Sequence, residues 1–191
     1  QYWLPKVLKR FIQAYPHAKV SLITGWSSDI LQSLYQDEAH IGIIRGNPEW
    51  KGVKQHLLSD KLFLVDTEIE KIEDLRNTDR PFIQFKSDST YYQEIQVWWH
   101  RKFQTAPKRT IVVDQIETCK QMALNGVGYA ILPSITLQEE YDQINIIPLS
   151  DWKEEMHRDT WLIGYESSFQ LKQVEAFMEI LDKVLEEQGH S

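Results

Sequence analysis

Two short turns rich in serine and threonine contain the residues of this sequence that are best suited to binding a small anion. Each turn follows an apolar, strand-like segment and precedes a helical one. At such positions, hydroxyl groups and the unpaired N–H groups of the helix can donate hydrogen bonds to a carboxylate. Taken singly, such residues more often cap helices, so the interpretation depends on there being two such turns. The residues are Trp26, Ser27 and Ser28 in the first turn, and Ser87, Ser89 and Thr90 in the second.

Two arginines occupy positions that favour the same chemistry. A planar guanidinium binds a carboxylate through two parallel hydrogen bonds. Arg45 ends the apolar segment 41–44, and Arg158 precedes the apolar segment 161–163. We therefore predict that Arg45 and Arg158 bind the anion. A surface salt bridge is the simpler interpretation for other arginines, namely Arg76, Arg80, Arg101 and Arg109.

Residue types that could support catalysis or bind a metal are poorly arranged for either role. Gly126 and Gly128 follow a helix, so they mark a helix stop and not a dinucleotide-binding loop. Cys119 falls on the inner face of a helix, which favours core packing. The histidines are scattered, without the i, i+4 spacing that zinc enzymes use on a helix. We therefore expect no enzymatic activity, no cofactor and no structural metal.

The overall composition narrows the class of protein. The 191 residues include 21 basic and 28 acidic side chains, giving a net charge of −7, which argues against direct binding to nucleic-acid phosphates. A single cysteine excludes an internal disulfide and fits a reducing compartment. No apolar run approaches the roughly 20 residues that span a bilayer, and the N-terminus lacks a signal-peptide layout. We expect a cytoplasmic protein that does not enter a membrane.

Strand-like and helical segments alternate along the chain, which is typical of an α/β fold. In the tryptophan-rich helix, the spacing predicts that one of Trp98 and Trp99 points inward. Helices are predicted at 4–15, 72–77 and 117–125. Further helices are predicted to end near residue 36, to end near residue 103 and to begin near residue 134, and the last helix follows a cap at Ser168. Strands are predicted at 19–24, 41–44, 53–58, 62–65, 82–85, 110–113, 129–132, 144–147 and 161–163, with an irregular stretch at 150–159.

These segments fit two lobes better than a single lobe. Each lobe would be a mostly parallel sheet with helices on both faces. The first lobe is predicted to comprise residues 1–62 and 153–191, and the second residues 63–152. Ligands of open α/β folds bind where strands end at their carboxyl edge, so the two hydroxyl-rich turns would face one cleft. A βαβ unit begins with a strand, whereas this chain opens with a helix. We therefore expect further polypeptide upstream of Gln1.

The sequence resembles the effector-binding domain of LysR-type transcriptional regulators over essentially its whole length. The matching parts include residues 41–45 and 62–65, and above all Met122 to Pro133, where the family has a helix, a glycine turn and a strand that ends in proline. Residues 21–28, 42–50 and 82–90 are more narrowly similar to citrate-responsive members that control citric-acid-cycle genes.

The resemblance implies two Rossmann-like lobes of the periplasmic-binding-protein type 2 kind, joined by two crossover strands. It implies that an N-terminal winged helix-turn-helix and the family's first strand are absent from this chain. It also implies a homodimer of this domain, a tetramer of the full-length protein, and operator binding only through the missing domain. The residues that the family's motifs would assign to citrate are Ser27, Arg45, Ser87, Ser89 and Arg158.

Two other classes of protein are compatible with the same residues. A solute-binding protein that passes a small carboxylate to a transporter would have the same two lobes, and an upstream signal peptide would distinguish it. An enzyme acting on a carboxylate would need a general base in the cleft. The choices between repression and activation, and between citrate and other di- or tricarboxylates, are not decided by these residues.

Overall fold

The chain forms two compact units, and it crosses between them twice. The computed structural model describes residues 3–25, 27–46, 48–86, 90–139, 141–151 and 154–189. The first unit comprises Gln1–Ser59 and Asp159–Ser191, and the second comprises Asp60–Arg158. Strand Val53–Asp66 carries the chain out of the first unit, and strand His157–Gly164 carries it back. The predicted α/β class is confirmed, with a mixed sheet in place of a mostly parallel one.

Helices and strands follow one another in both units. The first unit contains α1 (Leu4–Ala14), β1 (Leu22–Thr24), α2 (Ser27–Tyr35), β2 (Ile41–Arg45), the start of β3 (Val53–Asp66), most of β10 (His157–Gly164), α5 (Glu166–Phe169) and α6 (Lys172–Glu187). The second contains the rest of β3, a 3-10 helix (Ile72–Arg76), β4 (Phe82–Phe85), α3 (Thr90–Phe103), β5 (Thr110–Val113), α4 (Ile116–Leu124), β6 (Tyr129–Pro133), a 3-10 helix (Ser134–Thr136), β7 (Asn145–Pro148), β8 (Ser150–Asp151) and β9 (Glu154–Glu155).

In the first unit, α2 packs on a small mixed sheet. Strand β2 pairs in parallel with β1 and antiparallel with β10. Helix α1 lies against α6, and the rings of Phe11 and Phe177 meet edge to face with centroids 5.6 Å apart. The apolar face of each helix is thereby removed from water. The buried core beneath α2 consists of Ile30, Leu34, Ile44 and Ile163.

In the second unit, helices cover both faces of a mixed sheet. Strands β5, β4 and β6 are parallel neighbours, and both β6 and β7 pair antiparallel with β3. Because side chains alternate along each strand, the sheet supports two separate cores. Phe82 and Ile131 face α3, whereas Ile83 and Ala130 face α4.

Trp98 and Trp99 are both buried, with 2% and 4% of their surface exposed, so the prediction that one points inward was too narrow. Trp99 stacks with Phe82 at 5.5 Å between ring centroids and donates its indole N–H to the carbonyl of Thr105 at 2.8 Å. Trp98 donates to the carbonyl of Ser150 at 3.0 Å. Both polar ring groups are satisfied, which permits two adjacent helical positions to be buried.

Three predicted boundaries were wrong. The strands predicted at 53–58 and 62–65 form one strand, β3, in which the intervening Asp60 is 2% exposed and accepts a hydrogen bond from Ser134 at 3.2 Å. The described residues within 150–159 are mostly strand, since β8 pairs with β9 and β10 begins at His157. Ser168 does not cap the last long helix, because it lies within α5, and Leu171 precedes α6.

Candidate functional site

Arg45 is the last residue of β2, at the carboxyl edge of the first unit's sheet. It is half-buried and stands opposite Thr160 of β10 in the strand register. The loop that follows is held to β10, because the N–H of Gly46 donates to the carbonyl of Asp159 at 2.9 Å and Trp161 donates to the carbonyl of Gly46 at 2.8 Å. Arg45 therefore extends from a fixed backbone, although its side chain already has an interaction within the protein.

The first hydroxyl-rich turn lies at the same edge. Thr24 of β1 pairs with Ile43 of the parallel strand β2, so the turn and Arg45 both follow the carboxyl ends of adjacent strands. Helix α2 begins at Ser27, and Ser28 is exposed in its first turn. The parallel pairing of β1 with β2 thus places the start of α2 and Arg45 at the same sheet edge. Trp26 lies outside the described residues.

The second turn lies between β4 and α3. Strands β4, β5 and β6 are parallel, so their carboxyl ends and the start of α3 share one sheet edge. Helix α3 begins at Thr90, has no acidic residue in its first turn and has basic residues in its last turn, including Arg101 and Lys102. This distribution complements the helix dipole and leaves its N-terminus suited to an anion. Ser87 and Ser89 lie outside the described residues.

Arg158 is the second residue of β10 and the last residue of the second unit. Only 2% of its surface is exposed, which is rare for arginine unless the charge is compensated. It has an interaction within the protein, while its Nε is buried without a hydrogen-bond acceptor among the described residues. A charge held at this depth would act strongly on any anion near it.

Two further buried polar residues were not predicted as candidates. Thr160 is 3% exposed and stands beside Arg45 in the β2–β10 pair. Gln84 is 8% exposed and lies near the end of β4, where the sequence reads Phe82-Ile83-Gln84-Phe85. The sequence signal for Gln84 was one polar residue in a strand of four whose other residues are apolar. A polar group buried in such a strand usually has a hydrogen-bonding or functional role.

His56, Ser59 and Asp159 form a cluster that resembles a catalytic triad only in residue type. His56 Nε2 lies 3.1 Å from Ser59 Oγ and 2.9 Å from Asp159 Oδ1, and the serine hydroxyl donates to the same carboxylate at 2.5 Å. In a hydrolase the imidazole uses its two nitrogens for the two partners. Here one nitrogen faces both, so the cluster joins β3 to β10 and does not activate the serine.

The remaining reactive side chains do not form a catalytic or metal site within the described part of the chain. Burial raises the pKa of the Cys119 thiol to about 12, so the thiolate that a nucleophile requires is suppressed. Histidine, cysteine and carboxylate groups of the described residues do not gather in threes that could hold a metal ion. Over those same ranges, no helix is long and apolar enough to cross a membrane.

Comparison with known proteins identifies what this arrangement is similar to. Residues 1–186 match the family described as the LysR substrate binding domain. The HTH-type transcriptional regulator YkuM of Bacillus subtilis is 66% identical over 190 residues, which is 99% of this chain and 64% of that protein. The chain thus spans less than two thirds of the length of this relative.

Solved structures share the fold at low sequence identity. The BenM effector binding domain with its effector benzoate has a TM-score of 0.75 at 12% identity, covering 98% of this chain and 88% of that one. The Synechocystis CcmR regulatory domain in complex with 2-PG has a TM-score of 0.76 at 22% identity, covering 96% and 91%. These likenesses support the periplasmic-binding-protein type 2 fold that the sequence predicted.

Proposed function

Because the chain belongs to the LysR substrate-binding-domain family, as the effector-binding domain of a LysR-type transcriptional regulator, we propose that it binds a small carboxylate metabolite and thereby controls transcription by the full-length protein. The observation that carries the proposal is the position of Arg45. Arg45 is half-buried and is the last residue of β2, on a backbone that is hydrogen-bonded to β10. A guanidinium there can form two parallel hydrogen bonds with a carboxylate.

The residues assigned to the effector come from both units. From the first unit, we assign Arg45 and the turn residues, with backbone N–H groups of α2 as further donors. From the second, we assign Arg158 and the residues at the start of α3, whose dipole favours negative charge. Hydroxyl groups would fix the orientation of the anion, while the arginines would supply most of the attraction. The full proposed set is Trp26, Ser27, Ser28, Arg45, Ser87, Ser89, Thr90 and Arg158.

Citrate is our first candidate for the effector. The support is the resemblance of residues 21–28, 42–50 and 82–90 to catabolite control protein C, a citrate-responsive regulator of citric-acid-cycle genes in Gram-positive bacteria. Two arginines and several hydroxyl groups are a chemically reasonable donor set for a trianion. Other di- and tricarboxylates would satisfy part of the same set, so the acids must be compared directly.

The proposed mechanism is a population shift without chemical change in the ligand. An effector that binds one conformation of the protein more tightly stabilises that conformation by its difference in affinity. In a homodimer of this domain, and a tetramer of the full-length protein, that change would alter how the N-terminal DNA-binding domains meet the operator. Because the proposed role is in transcription, we place the protein in the cytoplasm. The proposed mechanism fits either repression or activation.

A thermal-shift panel tests the effector assignment. The protein is heated with citrate, isocitrate, malate, succinate or benzoate, and with sodium chloride at matched ionic strength. A ligand at 100 times its Kd stabilises the folded state by about 2.7 kcal/mol, so a true effector raises the Tm in a saturable manner. The active acid should also change operator binding by the full-length protein. A panel in which no acid exceeds the chloride control would contradict the proposal.

A further inference from the structure

The turn after Arg45 is fixed to β10 through a single glycine. Gly46 has a φ of +96°, a conformation that glycine adopts far more readily than other residues. Its N–H donates to the carbonyl of Asp159 at 2.9 Å, and its own carbonyl accepts the indole N–H of Trp161 at 2.8 Å. Both polar backbone groups of Gly46 are therefore hydrogen-bonded to β10, one to the main chain and one to a side chain.

Trp161 reaches Gly46 from the face of the sheet opposite to the Arg45 side chain. Directly opposite residues of paired strands share a face, whereas successive residues of one strand point to opposite faces. Arg45 stands opposite Thr160 in the register, and Trp161 is the next residue of β10. The Trp161 ring packs against the core beneath α2. A ligand bound by Arg45 would therefore not touch Trp161, and Trp161 acts on it through the backbone at Gly46.

Two side chains of β3 fix the ring of Trp161. Lys54 Nζ lies 4.4 Å from the ring centroid, which is a cation–π distance, and it also donates to the carbonyl of Pro48 at 3.1 Å. The ring of His56 meets that of Trp161 at 77° with centroids 5.0 Å apart, and His56 Nε2 lies 2.9 Å from Asp159 Oδ1. These contacts limit the rotamers open to Trp161, so its indole N–H stays in position.

We propose that Trp161 is a positioning residue of the effector site. Its hydrogen bond fixes the turn at Gly46 and thereby holds Arg45 in the conformation that binds a carboxylate. Because the backbone that bears the guanidinium is already ordered, little further ordering of the turn is needed when the anion binds. This inference rests on the effector-binding function proposed above, and it adds a residue that does not contact the effector.

Trp161→Phe tests the inference, because phenylalanine keeps an aromatic ring and removes the indole N–H. Binding of citrate, isocitrate, malate and succinate is measured by isothermal titration calorimetry. The acid that binds the unsubstituted protein most tightly should bind Trp161→Phe about three- to tenfold more weakly, which corresponds to the loss of one neutral hydrogen bond.

Trp50→Phe is the matched control. Trp50 and Trp161 are both half-buried against the core beneath α2. Trp50 likewise donates its indole N–H to a glycine carbonyl, that of Gly164, at 3.0 Å. The two substitutions remove the same group from similar surroundings, but only Trp161 holds the residue that follows Arg45. Trp50→Phe should therefore retain the affinity of the unsubstituted protein, although its Tm should fall by a similar amount.

Amide hydrogen exchange, measured by NMR, tests the positioning step without a ligand. In Trp161→Phe the N–H of Gly46 should exchange up to about tenfold faster, since the turn opens more often after losing a hydrogen bond. Amides in the middle of the β2–β10 pair should keep their rates. His56→Leu is a second variant, because the His56 side chain is 45% exposed, and it should also accelerate exchange at Gly46 and weaken acid binding. His56→Gln keeps an N–H donor for Asp159 and should restore both.

Three results would overturn the inference. If Trp161→Phe and His56→Leu both leave the affinity or the exchange at Gly46 unchanged, the turn does not set the position of Arg45, while carboxylate binding itself remains. If Trp50→Phe weakens binding as much as Trp161→Phe, the effect belongs to general packing of the first unit. If none of the acids binds the unsubstituted protein, the proposed function fails and this inference fails with it.

Discussion

The carboxylate of Asp66 accepts two nearly parallel hydrogen bonds from the guanidinium of Arg80, at 2.7 Å from Nη2 to Oδ1 and 3.0 Å from Nε to Oδ2. The Asp66 side chain is fully buried and that of Arg80 is 19% exposed, so Arg80 forms the salt bridge predicted for it, but with a buried carboxylate and not at the surface alone. Asp66 also accepts the backbone N–H of Ile69 at 2.8 Å. The hydrogen bond with Asp66 raises the pKa of Arg80. This pair joins β3 to the segment that precedes β4.

Replacing Asp66 with asparagine should destabilise the protein by up to about 3–5 kcal/mol, because a partly buried guanidinium loses its buried counter-charge and keeps only the exposed carboxylate of Glu68. The measurement is the free energy of unfolding in urea. Arg80 Nη1 also pairs with Glu68 at 3.0 Å, but that carboxylate side chain is 68% exposed. Glu68→Gln should therefore cost no more than about 1 kcal/mol. If the two variants lost similar free energies of unfolding, burial of the carboxylate would not determine the strength of the ion pair.

Arg45→Ala should reduce carboxylate affinity by at least about tenfold, since truncating a charged hydrogen-bond donor of a bound anion costs about 2–5 kcal/mol. The acid-induced rise in Tm should then largely disappear. Arg10→Ala is the control, because Arg10 is 45% exposed and pairs with Glu187 at 2.6 Å on the surface. An unchanged thermal response in Arg45→Ala would exclude Arg45 from the site.

Stability should decrease as the pH rises above about 9. Burial raises the pKa of Cys119 from 9.0 to about 12, and burial, with the charge of Asp66, raises the pKa of Tyr129. Both groups are neutral when protonated, and both deprotonate more readily in the unfolded chain. The stability that these two groups contribute is complete at pH values below their pKa values in the unfolded chain. It is lost as the pH rises towards their pKa values in the folded protein, by at most about 1.4 kcal/mol per pH unit for each group.

Urea unfolding at pH 8, 9 and 10 would measure this decrease. Between pH 9 and 10 the cysteine contributes most, because its unfolded pKa is the lower of the two. Cys119→Ala should accordingly lose less stability over that interval, whatever its stability at pH 8. Parallel pH profiles for the two proteins would show that the thiol is not responsible.

Gly128→Ala should destabilise the second unit by about 1–3 kcal/mol through overpacking. A Cβ atom at this position would collide with the carbonyl oxygen of Pro81. That carbonyl cannot easily move, because it accepts the N–H of Tyr129 at 3.0 Å. In Gly42→Ala, the new Cβ would instead meet a side-chain methyl of Ile30. Gly42→Ala should therefore cost less in urea unfolding, and the reverse order would contradict the argument.

Local pattern was sufficient to predict most elements. Strand β4 at Phe82–Phe85 and strand β5 at Thr110–Val113 agree with prediction, because apolar strand residues are flanked by polar turns. Helix α4 also agrees within one residue, since Gly126 has a φ of +78° and ends the helix. Arg45 was predicted to end an apolar strand, and it is the last residue of β2.

The sequence by itself determined the α/β class, the strand ends that carry Arg45 and the hydroxyl-rich turns, and the resemblance to the family, because these depend on the order and spacing of nearby residues. Only the tertiary structure decided which polar groups are buried and what they meet. Asp60, Asp66 and Gln84 look alike in sequence as polar residues beside apolar ones, yet Asp60 accepts a hydrogen bond from Ser134, Asp66 pairs with Arg80, and Gln84 lines a recess. Those roles depend on partners far away along the chain, which local periodicity does not encode.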